Sequence, residues 1–258
     1  MHLLKNKRLL LLKSLTLILR RFKPEALRNL ERINFVEGGM KAVSLKDILS
    51  RIRDDGLRKD EVRQELQTAV RKATRLSKQA IFLVHKGMID EAESLLREAR
   101  LNLDKIKSLS KTYPDIFFAG LLDSALEEYS EAHIFLRLIK DGSFIKPEEI
   151  EVPGEAYVLG LADVIGELRR RALDLIRRGE VEGAEECLTL MENIYNEIIG
   201  CDELQILISG LRRKCDIARR VIEATRGDIT SEVRRTVLNN TMKEFQKILE
   251  EMIAHEKQ

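Results

Sequence analysis

Residues 70–84 read VRKATRLSKQAIFLV, and apolar side chains recur in this segment every three or four positions. That spacing is typical of an amphipathic α-helix with one buried face. The face consists of Val70, Ala73, Leu76, Ala80, Leu83 and Val84. The same pattern continues almost unbroken over residues 44–86, so we predict one helix there, about 60 Å long at a rise of ~1.5 Å per residue.

The rest of the chain is also helical in pattern, and it contains no convincing strand. Six further helices are predicted, at residues 90–113, 114–140, 155–178, 181–199, 202–225 and 230–255. A polar connector is expected at 143–154. The composition agrees, because 14 Gly, only 4 Pro, no Trp and 34% charged residues suit long helices and argue against a β-sandwich or a Rossmann sheet. The sequence therefore predicts an all-α protein of seven main helices.

The N-terminal part differs in charge and composition from the rest. The chain has 258 residues and a net charge of +2, which divides into +7 over residues 1–33 and −5 over the remainder. We predict a basic, Leu-rich extension at 1–42 and a helical domain at 43–258. The preferred hypothesis is that the functional chain begins near Met40, and the alternative is that the extension is an interfacial amphipathic anchor.

The cysteines and the hydropathy pattern indicate a cellular compartment. The three cysteines are far apart, form no C-x-x-C pair and have no histidine nearby to complete a zinc site. No segment approaches the roughly 20 apolar residues that a membrane span requires. We therefore expect a cytoplasmic protein with free thiols and no membrane partner.

Two pairs of carboxylates lie on consecutive predicted helices. Glu128 and Glu131 are about 60° apart on one helix, and Asp163 and Glu167 are about 40° apart on the next, so each pair shares a face. If the pairs meet, their repulsion favours a divalent cation between them, and oxygen ligands favour Mg²⁺ or Mn²⁺ over Zn²⁺. The alternative is a solvated face, in which Glu167 pairs with Arg171 at i+4. Periodicity leaves both interpretations open.

A basic stripe on the first helix is a candidate nucleic-acid site. Arg71, Arg75, Lys78 and His85 lie opposite the apolar face, with Phe82 among them. Cations that bind phosphates beside an aromatic ring that stacks on a base are typical of single-strand grooves. A solvated stripe with Phe82 at a subunit contact fits the same pattern, and His85 and His133 are more often structural than catalytic.

Three segments together resemble the translin family, and within it the catalytic branch of translin-associated factor X. They are SKQAIFLVH at 77–85, EYSEA at 128–132 followed by Phe135, and YVLGLADVIGELRR at 157–170. The last segment resembles the family's Y-x-x-G-x-A-D-x-x-G-E-L-x-R motif and is the most specific. The likeness extends over about residues 45–255, and the Leu-rich start has no counterpart in it.

The resemblance implies a seven-helix, α-superhelical bundle that assembles into a hollow oligomer, commonly an octamer, with RNA inside. It implies an endoribonuclease that cleaves single-stranded RNA with Mg²⁺, or with Mn²⁺ as the alternative, and single-stranded DNA is a second candidate ligand. Glu128, Glu131, Asp163 and Glu167 match the family's metal-binding and catalytic carboxylates. Arg170 also matches and is expected to contact phosphate, while Arg71, Arg75 and Lys78 are expected to guide the strand. We expect a homo-oligomer, although eukaryotic relatives act together with translin.

Other functions fit parts of the same sequence. Residues 127–131 match the E-E-x-x-E motif of all-α nucleoside-triphosphate pyrophosphohydrolases, but the downstream E-x-x-D motif of that class is missing. Two similar helical segments, which begin at Lys86 and Arg178, fit a helical-repeat scaffold only weakly. The main alternative is a nucleic-acid-binding oligomer without turnover, like the translin branch, which does not need a complete set of four carboxylates.

Overall fold

The structure is a computed structural model that describes residues 44–113 and 119–256, and within these ranges every regular element is an α-helix. The chain divides into two units, Met1–Asp54 and Asp55–Gln258, and the site discussed below lies in the second. The helices are α1 Leu45–His85, α2 Ile89–Thr112, α3 Ala119–Asp141, α4 Pro147–Ile150, α5 Gly154–Arg178, α6 Val181–Gly200, α7 Asp202–Leu207 and α8 Leu211–Glu256. The predicted all-α class is confirmed. The predicted N-terminal extension lies outside the described residues.

The C-terminal helices differ from the prediction. We expected helices at 202–225 and 230–255, whereas the structure has the short α7 and then one 46-residue helix, α8. The chain breaks at Gly210, whose φ of +86° is a left-handed conformation that favours glycine. Helix α8 continues through Gly227, although a glycine in a helix interior costs about 1 kcal/mol. The burial of Thr225 and Ile229 on either side of Gly227 offsets this cost.

The predicted connector at 143–154 contains one turn of helix. Pro147 begins α4, where its missing N–H loses no helical hydrogen bond. The Glu149 carboxylate accepts a hydrogen bond of 2.9 Å from the Lys146 backbone N–H. A strong local cap thus forms a short helix that apolar periodicity does not reveal.

Helix α5 is central to the arrangement, because it packs against α3, α6 and α8. Its contact with α3 is unusually close at Gly160. A Cβ atom on this glycine would lie 2.7 Å from the Glu127 carbonyl oxygen and 2.8 Å from the Glu131 backbone nitrogen. The two backbones therefore touch, and this contact lies where both helices carry their acidic residues.

Partly buried His133 on α3 is expected to make the fold sensitive to acid. Its ring makes an edge contact with Tyr129, and its Nε2 atom is buried without a hydrogen-bond partner. Burial, together with the charge of Arg100, lowers the pKa of His133 to about 4, against an ordinary value of 6.5. The folded protein thus keeps this histidine neutral at pH values at which the unfolded chain takes up a proton.

We expect His133 to reduce the stability of the protein as the pH falls from about 6.5 to about 4. At roughly 1.4 kcal/mol for each pH unit in that window, the loss reaches about 3 kcal/mol. Urea unfolding of the wild type and of His133→Phe between pH 4 and pH 8 measures it. The wild type should lose more stability than the variant on acidification, and parallel curves would contradict the assignment.

The membrane and thiol predictions concern the helices and the three cysteines. None of them is both long enough and apolar enough to cross a bilayer. Cys187 and Cys215 are buried, Cys201 is exposed, and all three are free thiols.

Candidate metal and nucleic-acid site

An acidic cluster lies where α3 and α5 meet. It consists of Glu127, Glu128 and Glu131 from α3 and of Asp163 and Glu167 from α5. Glu131 is the most buried member at 9% exposure, and it forms no hydrogen bond or ion pair with any described residue. Burial and the charges of Asp163, Glu128 and Glu167 raise its pKa to about 9. The four carboxylates expected from the sequence therefore influence one another electrostatically, and Glu131 does not lie on a solvated face.

Lysine side chains from two other helices form ion pairs with three members of this cluster. Lys78 on α1 lies 2.9 Å from the Glu128 carboxylate, and its hydrogen bond and attraction to Glu128 raise the pKa of the lysine. Lys214 on α8 lies 2.5 Å from Asp163 and 3.4 Å from Glu127. Burial disfavours the charge on Lys214, but Asp163 and Glu127 outweigh burial and raise the pKa of this lysine as well.

His85 contacts Glu167, which differs from its expected place on the basic stripe. Its side chain is only 5% exposed, and its Nε2 atom lies 2.6 Å from the Glu167 carboxylate. The imidazole packs against the buried Phe135 ring with centroids 4.8 Å apart, which draws it inward at the end of α1. Arg170 also approaches Glu167, at 3.8 Å. Among the described residues, Glu167 thus pairs with His85 and Arg170, and the Arg171 pair that belonged to the solvated-face alternative does not form.

The donor atoms of the cluster fit a hard divalent cation. Carboxylate oxygens are the ligands that Mg²⁺ and Mn²⁺ prefer, and the buried Glu131 carboxyl has no partner in the described part of the chain. In the described ranges, no three acidic, histidine or cysteine side chains are yet gathered as ligands of a single ion. Glu128, Asp163 and Glu167 are instead each directed toward Lys78, Lys214 or His85. These side chains would have to turn inward around Glu131 to share an ion.

A large cavity adjoins the cluster along α1. Its volume is about 720 Å³, and it is lined by Gln67, Val70, Arg71, Thr74, Arg75, Lys78, Gln79, Phe82 and Ser124. The structure thus brings the three predicted cations of α1 to one surface, together with Phe82, whose side chain is 46% exposed. Arg71 and Arg75 form no ion pair with the residues that the structure places. Lys78 both lines the cavity and contacts Glu128, so the two features are continuous.

The sequence did not predict that Lys214 and His85 contact the acidic cluster, or that Glu127 belongs to it. One signal pointed to Lys214, because it falls on the buried face of α8, three residues after Leu211 and four before Ala218. A lysine at such a position needs a buried or half-buried partner. No comparable signal existed for His85, since its contact with Glu167 joins residues 82 positions apart.

This fold and site define an all-α protein with an acidic cluster beside a cationic cavity. The sequence profile of the translin family matches residues 61–225, and the chain belongs to that family. An uncharacterised protein of Methanocaldococcus jannaschii is 35% identical over 191 residues, which cover 73% of this chain and 84% of that protein.

Two solved structures show the same fold. The structure of AfC3PO in complex with duplex RNA is 34% identical, with a TM-score of 0.63, over 73% of this chain and 98% of that chain. The apo-NeC3PO structure is 22% identical, with a TM-score of 0.64, over 76% of this chain and 100% of that chain, and it supports the fold alone.

Proposed function

We propose that this chain is a metal-dependent endoribonuclease that uses Mg²⁺, with Mn²⁺ as the alternative. The observation that carries the proposal is the buried Glu131 carboxyl, which feels the charges of three other carboxylates and has no partner among the described residues. Burying a carboxyl group without a partner is unfavourable, and nucleic-acid binding alone does not explain why this group is buried. A divalent cation supplies that reason, because it binds the carboxylate and offsets the repulsion among its neighbours.

The residues of the site have two proposed roles in hydrolysis, which are metal binding and phosphate binding. Glu128, Glu131, Asp163 and Glu167 would hold the ion. When bound, the ion polarises the scissile phosphate and lowers the pKa of a water molecule. Arg71 and Arg75, which form no ion pair with a described residue, would bind the phosphates of the strand, and Lys78 would bind the phosphate nearest the cluster. Arg170, which is half exposed beside Glu167, would contact a further phosphate.

The cavity supports a strand with unpaired bases as the substrate. Phe82 offers an exposed ring beside the cations, and a base stacks on such a ring only when it is not held in a duplex. The related AfC3PO structure contains duplex RNA, so this chain is expected to bind RNA and to cleave it where bases are unpaired. Single-stranded DNA, which offers the same phosphates and bases, is a second ligand.

The second half of α8 supports a homo-oligomer, with an octamer as the expected form. Its side chains are exposed from residue 237 to residue 252, and large apolar residues recur there at alternating intervals of four and three positions. These are Leu238, Met242, Phe245, Leu249 and Met252. Such a seam fits a helix of a second copy of this chain.

The alternative function is a nucleic-acid-binding oligomer without turnover. One observation favours it, because Lys78, Lys214 and His85 already satisfy Glu128, Asp163 and Glu167 without an ion. With this function, Arg71 and Arg75 at the cavity explain nucleic-acid binding, and the acidic cluster is a structural network.

RNA cleavage by the full-length chain distinguishes these functions. End-labelled single-stranded RNA and its duplex would be incubated with the protein in Mg²⁺, Mn²⁺ or EDTA, and then resolved on denaturing and native gels. We expect cleavage of the single strand in either metal and none in EDTA. A shifted but uncut band in all three conditions would establish the binding function instead.

A further inference from the structure

Lys214 is held between two carboxylates that have different roles in the proposed site. Its Nζ atom lies 2.5 Å from Asp163, which belongs to the proposed metal ligands, and 3.4 Å from Glu127, which does not. The lysine side chain is 23% exposed, so water competes with these contacts only in part. A cavity of about 100 Å³, lined by Asp163, Lys214 and Ala218 among others, gives the side chain room to move.

We propose that Lys214 competes with the divalent cation for Asp163, and that it transfers to Glu127 when Asp163 binds the ion. The inference rests on the proposed function, since it takes Asp163 as a metal ligand. In the metal-free protein, Lys214 offsets the repulsion that Asp163 adds to the cluster. The protein thus folds without the ion, but each binding event must first break the contact between Lys214 and Asp163.

The other partners of the carboxylates are less suited to this role, and Arg170 lies 3.8 Å from Glu167 with half of its side chain exposed. The Lys78 side chain is 61% exposed, and an exposed ammonium is screened by water and contributes little to its ion pair. His85 contacts one oxygen of Glu167 and leaves the other free to ligate an ion, as histidine and carboxylate groups around metals commonly do. Among the described partners of these carboxylates, only Lys214 combines partial burial with a second carboxylate, Glu127, that it can pair with instead.

Metal binding without RNA tests the competition directly. Mn²⁺ titrations of the full-length protein, followed by calorimetry and by electron paramagnetic resonance, would compare the wild type with Lys214→Met, Lys214→Arg and Lys78→Met. We expect about tenfold tighter Mn²⁺ binding for Lys214→Met, and at most a threefold change for each of the other two variants. Lys214→Met should also melt at a lower temperature than the wild type in EDTA. Its melting temperature should rise more than that of the wild type when Mn²⁺ is added.

A second variant tests the transfer of Lys214 from Asp163 to Glu127. It also tests the inference if Lys214→Met fails to fold. Glu127→Gln removes the carboxylate that receives Lys214, so Mn²⁺ binding should weaken several-fold. The same change in Lys214→Met should have a smaller effect. Unchanged or weaker binding by Lys214→Met, or unchanged binding by Glu127→Gln, would overturn the inference.

The failure of this inference differs from the failure of the proposed function. If the wild type binds Mn²⁺ and Asp163→Asn loses the ion, the metal site stands, whatever Lys214 does. If Asp163→Asn binds Mn²⁺ as well as the wild type does, then Asp163 is not a ligand, and both the competition and the proposed metal set are wrong.

Discussion

Glutamine in place of Glu131 should abolish metal-dependent RNA cleavage and leave the fold unchanged. The pKa of about 9 means that this carboxyl carries a proton at neutral pH in the metal-free protein, so the neutral, equally shaped amide reproduces its state. The amide has one oxygen and no charge, and it is therefore a much poorer ligand for Mg²⁺. We expect cleavage to fall by at least about 100-fold, which corresponds to ~2.7 kcal/mol of transition-state stabilisation.

Single-turnover cleavage at saturating Mg²⁺ measures this loss, while circular dichroism and native-gel shifts report the fold and RNA binding. Asp123→Asn is the matched control, because Asp123 lies on the same helix but is exposed. It should cut RNA at the wild-type rate. If Glu131→Gln also cuts at that rate, the buried carboxyl is not a metal ligand.

Glu131 is a more informative position than the other three carboxylates. Glu128→Ala and Asp163→Ala should also abolish cleavage, but each leaves a lysine without its partner. A loss of activity in those variants therefore mixes the loss of a ligand with the loss of an ion pair. Since no described residue pairs with Glu131, its replacement changes the ligand alone.

The parts of the site that sequence reasoning could predict are those that depend on local spacing. The separations of Glu128 from Glu131 and of Asp163 from Glu167 follow from helix geometry, and the apolar periodicity places α1, α2, α5 and α6 to within a residue or two. The burial of Glu131 does not follow from spacing, because it depends on how closely α5 approaches α3. The roles of Lys214 and His85 depend on helices that are distant in sequence.

The break at Gly210 and the continuous helix at Gly227 illustrate the same limit. Both glycines interrupt a helical pattern, and local propensity disfavours helix at each. Tertiary packing decides whether the helix breaks at each glycine. At Gly227 the helix continues, because Thr225 and Ile229 are buried on either side of it. A glycine in the sequence thus indicates a permitted break, and only packing decides whether the break occurs.

Gly160 and Gly166 lie on the same helix, and alanine at these two positions should have opposite effects. At Gly160 the new Cβ atom would lie 2.7–2.8 Å from backbone atoms of α3, which cannot move aside without separating the helices. Overpacking of this kind costs about 1–3 kcal/mol or more and outweighs the gain of about 1 kcal/mol in helix propensity. At Gly166 nothing lies within 4 Å of the new atom, so only the propensity gain remains.

Thermal unfolding of the two variants therefore gives a sharp comparison. We expect Gly160→Ala to melt several degrees below the wild type and Gly166→Ala to melt slightly above it. Separation of α3 from α5 should also carry Glu131 away from Asp163, so Gly160→Ala should lose Mn²⁺ affinity and RNA cleavage even at temperatures at which it remains folded. A Gly160→Ala protein that melts and cuts like the wild type would mean that the close contact between the helices does not hold the carboxylates together.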